Sequence, residues 1–267
     1  MDKKRTIELN KKQAEFYTTK TKNIPTRVWS FIRESTLRNV RKELGIMEDC
    51  YNTHMDWFGD LKEKKVLDLG CAYGNYHSEH LAKHSKQYFG VDLSEKAINL
   101  LRKKIKNYPN AKALSVDFLS DEFEEVDFDL IYAHGVLHHF ENVDLIITKL
   151  KEKLKYDGQI ISHDPLETSI PIWILRKLYR PFQSDAMWEW PFNRRTLNKF
   201  DDNFNIIEKR GILGKSKWYF LVLLLPITKS AKIRLGKLLH NIDWEKSSNS
   251  SNYLYKCMQV SMHMKNS

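Results

Sequence analysis

The chain has 267 residues, of which 42% are hydrophobic and 29% charged, and its formal net charge is +10. This length and composition predict one folded α/β domain with additions and exclude an intrinsically disordered chain. Cys50, Cys71 and Cys257 have the spacing of neither a metal site nor a disulfide framework, which indicates a reducing, cytoplasmic setting. The positive charge leaves nucleic acid and anionic membranes open as partners.

The first part of the chain has a helical pattern as far as Phe58, and Gly45 is expected to end one of these helices in the C-cap position. We therefore expect residues 1–60 to form an N-terminal helical cap. Residues 61–267 are expected to form the main domain. The longest apolar run, 218–226, is too short to cross a bilayer as a helix, so no transmembrane segment is expected.

Short apolar runs then alternate with amphipathic stretches of helical length. This alternation predicts a parallel sheet with helices on both faces. Ser94 is expected to cap one of the helices. The apolar runs are 64–70, 87–93, 111–117, 128–135 and 158–164.

The last third of the chain is rich in aromatic residues and broken by prolines. We expect helical lid insertions at about 166–203 and 214–245, with strands over 204–213 and 253–265. The final two strands would then bracket an inserted helical segment.

Acids follow the apolar runs, where the carboxyl ends of parallel strands form a ligand-binding edge. Asp68 precedes a turn containing Gly70 and Gly74, and glycines there allow close approach of a ligand. The nicotinamide fingerprint would need its last glycine where Asn75 stands. An acid before the first glycine suits a ligand with an ammonium group, such as S-adenosylmethionine. Asp92 after the second run suits the two hydroxyls of a ribose.

The stretch "DLGCAYG" resembles the D-x-G-x-G-x-G signature of class I S-adenosylmethionine-dependent methyltransferases, with Ala72 in place of the central glycine. The resemblance extends over Val66 to Pro165 and is greatest to enzymes of quinone and natural-product metabolism. It implies a seven-stranded, mostly parallel, Rossmann-like sheet with helices on both faces, an antiparallel last strand, and helical N-terminal and C-terminal lid additions. It also implies S-adenosyl-L-methionine as cofactor, with Asp68, Gly70 and Gly74 at its methionine end, Asp92 at its ribose, Asp117 and Phe118 at its adenine, and Leu93, His134 and the N-terminal Tyr17 as further contacts.

Histidines cluster where the methyl acceptor would lie. His134, His138 and His139 follow the fourth strand, and His163 and Asp164 end the fifth. Imidazole has a pKa suited to accepting a proton from a hydroxyl near neutral pH. His139, with His138 or His163, is therefore the candidate base. Packing or capping roles stay open for each histidine, and no metal site is expected.

These observations predict O-methylation of a small molecule or of a glycan or lipid precursor. The alternatives are an RNA methyltransferase and an inactive cofactor-binding subunit. Nucleic acid is disfavoured because the chain lacks both an Asp/Asn-Pro-Pro-aromatic loop and a cysteine after proline. A monomer or a homodimer is expected. The stretch Trp218 to Leu239, flanked by lysines and arginine, fits peripheral membrane contact or a dimer interface.

The aromatic residues of the first lid insertion are expected to roof the acceptor pocket, with core packing as the alternative. They are Trp173, Tyr179, Trp188, Trp190 and Phe192.

Overall fold

The computed structural model describes residues 8–10, 12–13, 15, 23–184 and 186–266, without the side chains of residues 29, 32–34 and 36. The predicted N-terminal helices are present. Gly45 has φ 73° and ends a helix as expected, because its amide donates to carbonyls of the last turn. These helices are Ile24–Arg33, the π-helical turn Glu34–Arg38, Asn39–Leu44 and Ile46–Phe58.

Seven strands form one sheet in the order β3-β2-β1-β4-β5-β7-β6. Strand β7 is antiparallel to both of its neighbours, and the other neighbouring strands of the sheet are parallel. The predicted sheet is therefore confirmed. The strands are β1 (Lys65–Leu69), β2 (Gln87–Asp92), β3 (Ala111–Ser115), β4 (Phe128–His134), β5 (Leu154–Pro165), β6 (Asn205–Ile212) and β7 (Gln259–Lys265).

Helices cover both faces of the sheet, and their starts follow local capping chemistry. Ser94 caps its helix as predicted, accepting a hydrogen bond from the Ala97 amide at 3.3 Å. One expectation was wrong: residues 253–258 do not extend the last strand. Ser250 caps the turn Ser251–Leu254 instead, because its hydroxyl accepts from the Tyr253 amide. The longer helices are Ser78–His84, Glu95–Ile105, Val143–Lys153, Ile170–Tyr179, Arg194–Asn203 and Lys229–Asn249.

The register of the central strands brings distant polar residues into one row. His134 of β4 pairs with His163 of β5, and His163 pairs with Ser261 of β7. Residues in register across a sheet project to the same face. The carboxyl ends of β4 and β5 therefore present these side chains together.

The segment after β6 is partly buried, unlike the uniformly interfacial stretch that its composition indicates. Tyr219 is fully buried, and Lys217 is only 7% exposed. The ammonium of Lys217 donates to the Lys256 carbonyl at 2.6 Å and to the Ser169 hydroxyl at 3.0 Å. Lys217 is therefore a structural cation rather than part of a basic flank. Within the described ranges, no helix is both long and apolar enough to cross a membrane.

Candidate active site

A cavity of about 420 Å³ opens at the carboxyl ends of β1, β2 and β3. This volume lies in the usual range for small-molecule sites. Six residues of the predicted set line it, namely Gly70, Asp92, Leu93, Asp117, Phe118 and His139. We call it the first cavity.

Asp92 is fixed at the floor of the first cavity by two backbone donors. Its Oδ2 accepts from the Ala72 amide at 3.0 Å, and its Oδ1 accepts from the Ser94 amide at 2.8 Å. Burial nevertheless raises the pKa of this carboxyl. Each carboxylate oxygen has a second lone pair, so two hydroxyl donors would satisfy the group and stabilise its ionised form. Asp92 thus fits a ribose diol.

Asp117 lies on the same wall and is held by an N-terminal residue. Asn10 donates to Asp117 Oδ2 at 2.9 Å, and the Leu119 amide donates to Oδ1 at the same distance. Asn10 and Gln13 are buried and line the cavity. Sequence reasoning missed both, since nothing in their spacing links them to strand ends more than 50 residues away. Tyr17, predicted for this covering role, lies outside the described residues.

Asp68 lies behind the glycine turn instead of lining the first cavity. Its carboxylate is fully buried and accepts from Asn75 at 2.8 Å, Ser78 at 2.5 Å and Tyr88 at 2.8 Å. Burial raises the pKa of Asp68 to about 6, because the three hydrogen bonds offset only part of its effect. In the structure Asp68 joins the turn, the following helix and β2. Its contact with a ligand ammonium stays a prediction.

The turn itself requires left-handed backbone at three positions. Gly70 has φ 67°, Gly74 has φ 95°, and Ala72 has φ 47°. A Cβ on Gly70 would come within 2.4 Å of Val136 Cγ2, so this position excludes larger residues. Ala72 pays a conformational cost that a glycine would avoid. Alanine in place of the central glycine of the motif therefore introduces local backbone strain, which the sequence pattern alone did not show.

A second cavity, of about 690 Å³, adjoins the first at Gly135. Gly135 lines both cavities, and a Cβ added to it would meet no atom within 4 Å. Gly135 therefore borders open space at the end of β4, where both cavities reach it. His134, His138 and His163 of the predicted set line the second cavity.

His138 and Asp164 form a buried pair at the second cavity. The Nδ1 of His138 lies 2.9 Å from Asp164 Oδ1, which also accepts from the His138 amide at 3.1 Å. Oδ1 of Asp164 accepts a hydrogen bond from the His138 amide, so it acts as the acceptor for Nδ1–H as well, whether the carboxyl is ionised or neutral. The Nε2 atom of His138 then has the lone pair. Burial lowers the pKa of His138 to about 4 and raises that of Asp164 to about 7. His138 is therefore neutral at pH 7.

His139 has a different environment from its neighbour. Its Nδ1 donates to the Trp188 carbonyl at 2.6 Å, and it faces the first cavity. The Trp190 amide in turn donates to the His138 carbonyl at 2.7 Å. Segment 186–192 thus packs over the histidine turn. Burial lowers the pKa of His139 to about 4, which leaves it uncharged near neutral pH.

No metal site is evident in the part of the chain that the structure describes, where no three His, Cys, Asp or Glu side chains are grouped to hold an ion. The histidine cluster is instead held together by rings and hydrogen bonds. His134 and His163 are stacked, with ring centroids 5.0 Å apart.

Comparison with known proteins supports a common origin for the central part. Residues 67–160 match the family model described as a methyltransferase domain. The chain is 35% identical over 165 residues to (S)-coclaurine N-methyltransferase of Papaver somniferum, covering 57% of this chain and 45% of that protein. It is 31% identical over 105 residues to a ubiquinone biosynthesis O-methyltransferase of Coxiella burnetii, covering 38% and 43%. The chain thus spans less than half the length of these curated relatives.

The fold is also that of solved methyltransferases. The magnesium protoporphyrin IX methyltransferase of Synechocystis PCC 6803, crystallised with bound SAH, superposes with a TM-score of 0.53 at 17% identity, over 86% of each chain. This likeness shows a shared fold. Residues 67–160 therefore match a methyltransferase-domain family model, within a chain that shares the fold of solved methyltransferases.

Proposed function

We propose that this protein transfers a methyl group from S-adenosylmethionine to a hydroxyl oxygen of a small-molecule acceptor. The observation that carries the proposal is the pair of cavities that both reach Gly135, with cofactor-type acids lining one and His138, paired with Asp164, lining the other. The first cavity would hold the cofactor and the second the acceptor.

In the first cavity Asp92 would accept hydrogen bonds from the ribose hydroxyls, and Asp117 with Phe118 would contact the adenine. The cofactor supplies a methyl group on a sulfonium, which an acceptor oxygen displaces in line. Positioning of the two reactants on either side of Gly135 would supply much of the rate enhancement.

In the second cavity His138 would act as general base. Its Nε2 would take the hydroxyl proton as the new O–C bond forms, and Asp164 would stabilise the resulting imidazolium through Nδ1–H. His139 faces the other cavity and donates to a backbone carbonyl, so of the three predicted histidines His138 has the geometry of a base with an orienting partner.

Calorimetry with the full chain tests the cofactor half of this proposal. S-adenosylmethionine and its demethylated product should bind, and NAD should not. Asp92→Asn keeps the backbone contacts to one oxygen but removes the charge, and it should weaken binding about tenfold or more. Asp144→Asn, at an exposed aspartate that does not line the first cavity, is the matched control. Equal affinity of the Asp92 variant and the parent would contradict the ribose assignment.

A screen of small-molecule acceptors with isotopically labelled cofactor tests the reaction. Transfer of label to an oxygen is the expected result. Cofactor binding without transfer to any acceptor would favour an inactive cofactor-binding subunit. Salt-sensitive transfer to RNA would favour an RNA methyltransferase.

We also propose that the protein contacts an anionic lipid surface. Several apolar side chains in the segments 170–178 and 220–227 are exposed, among them Ile170, Leu178 and Leu224. The Lys217–Ser169 bond ties the two segments that carry them. Exposed cations follow on the helix Lys229–Asn249, which matches the charge of such a surface.

A further inference from the structure

The row of polar residues at the ends of β4, β5 and β7 has an unsatisfied member. His163 is 2% exposed and lines the second cavity. Its Nδ1 lies 2.9 Å from Ser261 Oγ, whereas its Nε2 has no hydrogen-bond partner among the described residues. A buried polar atom without a partner is costly, so a ligand that pairs with it gains binding free energy.

A chain of buried hydrogen bonds ends at His163. Tyr132 Oη lies 3.3 Å from His54 Nδ1, and His54 Nε2 lies 2.8 Å from Ser261 Oγ. Burial raises the pKa of Tyr132 and lowers the pKa values of His54 and His163, so all are neutral.

Donation along this chain from Tyr132 toward His163 satisfies every group in it. Tyr132 donates its hydroxyl proton to His54 Nδ1, His54 donates Nε2–H to Ser261, and Ser261 donates to His163 Nδ1. In the reverse direction the Tyr132 proton would have no acceptor among the described residues. With donation in that direction, His163 carries its proton on Nε2 and would donate a hydrogen bond to whatever occupies the cavity.

Cations outnumber anions around the same cavity. Its lining includes Arg38, Arg41, Lys42 and Arg176, against Glu48 and Glu189. Arg41 and Arg176 are half-buried. Arg41 is anchored over the end of β7, where its Nη2 donates to Gln259 Oε1 at 2.8 Å. Guanidinium groups at a partly buried site favour carboxylate or phosphate oxygens.

We infer that the methyl acceptor is an anion whose carboxylate or phosphate oxygens are bound by Arg41 and Arg176 and receive a hydrogen bond from His163 Nε2–H. This inference rests on the proposed function and divides the histidines by role. His138 accepts a proton from the reacting hydroxyl, and His163 donates a hydrogen bond that holds the acceptor in place.

The first test is anion binding to the full chain saturated with S-adenosylhomocysteine. Inorganic phosphate and benzoate are titrated separately at constant ionic strength, and binding is followed by imidazole NMR signals. At least one of them should bind saturably, and the two titrations distinguish a phosphate from a carboxylate site. Arg41→Gln and Arg176→Gln should each weaken that binding about tenfold or more. Arg234→Gln, an exposed arginine on the helix Lys229–Asn249, should leave it unchanged.

The second test is the tautomer of His163, read from its imidazole nitrogen shifts. We expect the proton on Nε2, and a proton on Nδ1 would overturn the donor role. Saturable binding of neither anion, or binding that both arginine variants retain, would overturn the anionic acceptor. Cofactor affinity measured on the same variants distinguishes failure of the anionic-acceptor inference from failure of the proposed function, because neither arginine lines the first cavity. Absence of cofactor binding in the parent protein would instead refute the proposed function.

Discussion

The imidazole of His138 and the carboxyl of Asp164 lie 2.9 Å apart at the end of two adjacent strands, and both are almost inaccessible to water. Burial raises the pKa of Asp164 to about 7 and lowers that of His138 to about 4. The pair is therefore arranged so that the carboxyl, rather than the imidazole, titrates near neutral pH. The sequence alone instead predicts that a histidine of this cluster has a pKa near neutral pH.

His138→Ala should lower turnover about a hundredfold or more and leave cofactor affinity nearly unchanged, because it removes the base without touching the first cavity. In the parent, kcat/KM should rise with pH through about 7, since ionised Asp164 stabilises the protonated imidazole. Asp164→Asn should abolish this limb. The rates are measured with the acceptor found in the screen.

His84→Ala is the matched control for this series, because His84 is exposed on the outer helix Ser78–His84. It should keep the parent rate and the parent pH profile. A His138→Ala variant within a few-fold of the parent would mean that positioning alone carries the reaction.

Ala72→Gly should stabilise the fold by roughly 0.5–1 kcal/mol, since glycine relieves the positive φ at this position at a smaller entropic cost. Thermal unfolding monitored by circular dichroism measures the change. Ala82→Gly, in the middle of a helix with ordinary backbone, should instead destabilise by about 1 kcal/mol. A lower midpoint for Ala72→Gly would show that the turn is not strained.

The protein should lose stability as pH falls from 7 to 5. Burial lowers the pKa values of many histidines, including His77 and His138 to about 4, whereas it raises those of fewer carboxyls, including Asp68 and Asp164. A lowered histidine pKa gives stability that is present above about 6.5 and lost as pH falls toward the folded value. The raised carboxyl values act in the opposite direction, but the histidines outnumber them.

His77→Gln isolates one contribution to this loss. His77 is 1% exposed, and its protonation should account for about 2 kcal/mol between pH 7 and pH 5. Unfolding in urea at both pH values should show a smaller difference in the variant than in the parent. An equal difference would assign the pH dependence to other groups.

The lipid-surface proposal predicts co-sedimentation with anionic vesicles at low salt and less at high salt. Leu224→Glu should reduce it, because Leu224 is 79% exposed on the apolar surface. Tyr156→Glu is the matched control, since Tyr156 is 81% exposed at the start of β5, outside the segments that carry that surface. Absence of sedimentation at low salt would favour a dimer contact or plain surface.

The sequence by itself determined the sheet and the first cavity. Alternating apolar and amphipathic runs specify parallel strands with covering helices, and residues at strand ends must then meet at one edge. Asp92, Asp117 and Phe118 could be placed together for that reason. Gly45 and Ser94 were recognisable because caps are local and depend on a few neighbouring residues.

Tertiary structure alone decided the division of roles among the histidines. Neighbours in sequence, His138 and His139 face different cavities, because one pairs with Asp164 of β5 and the other with the Trp188 carbonyl of the lid insertion. Their pKa values follow from burial, which depends on every element packed around them. Strand register, which joins His163 to Ser261 across 98 positions, likewise depends on long-range packing that a local pattern does not contain.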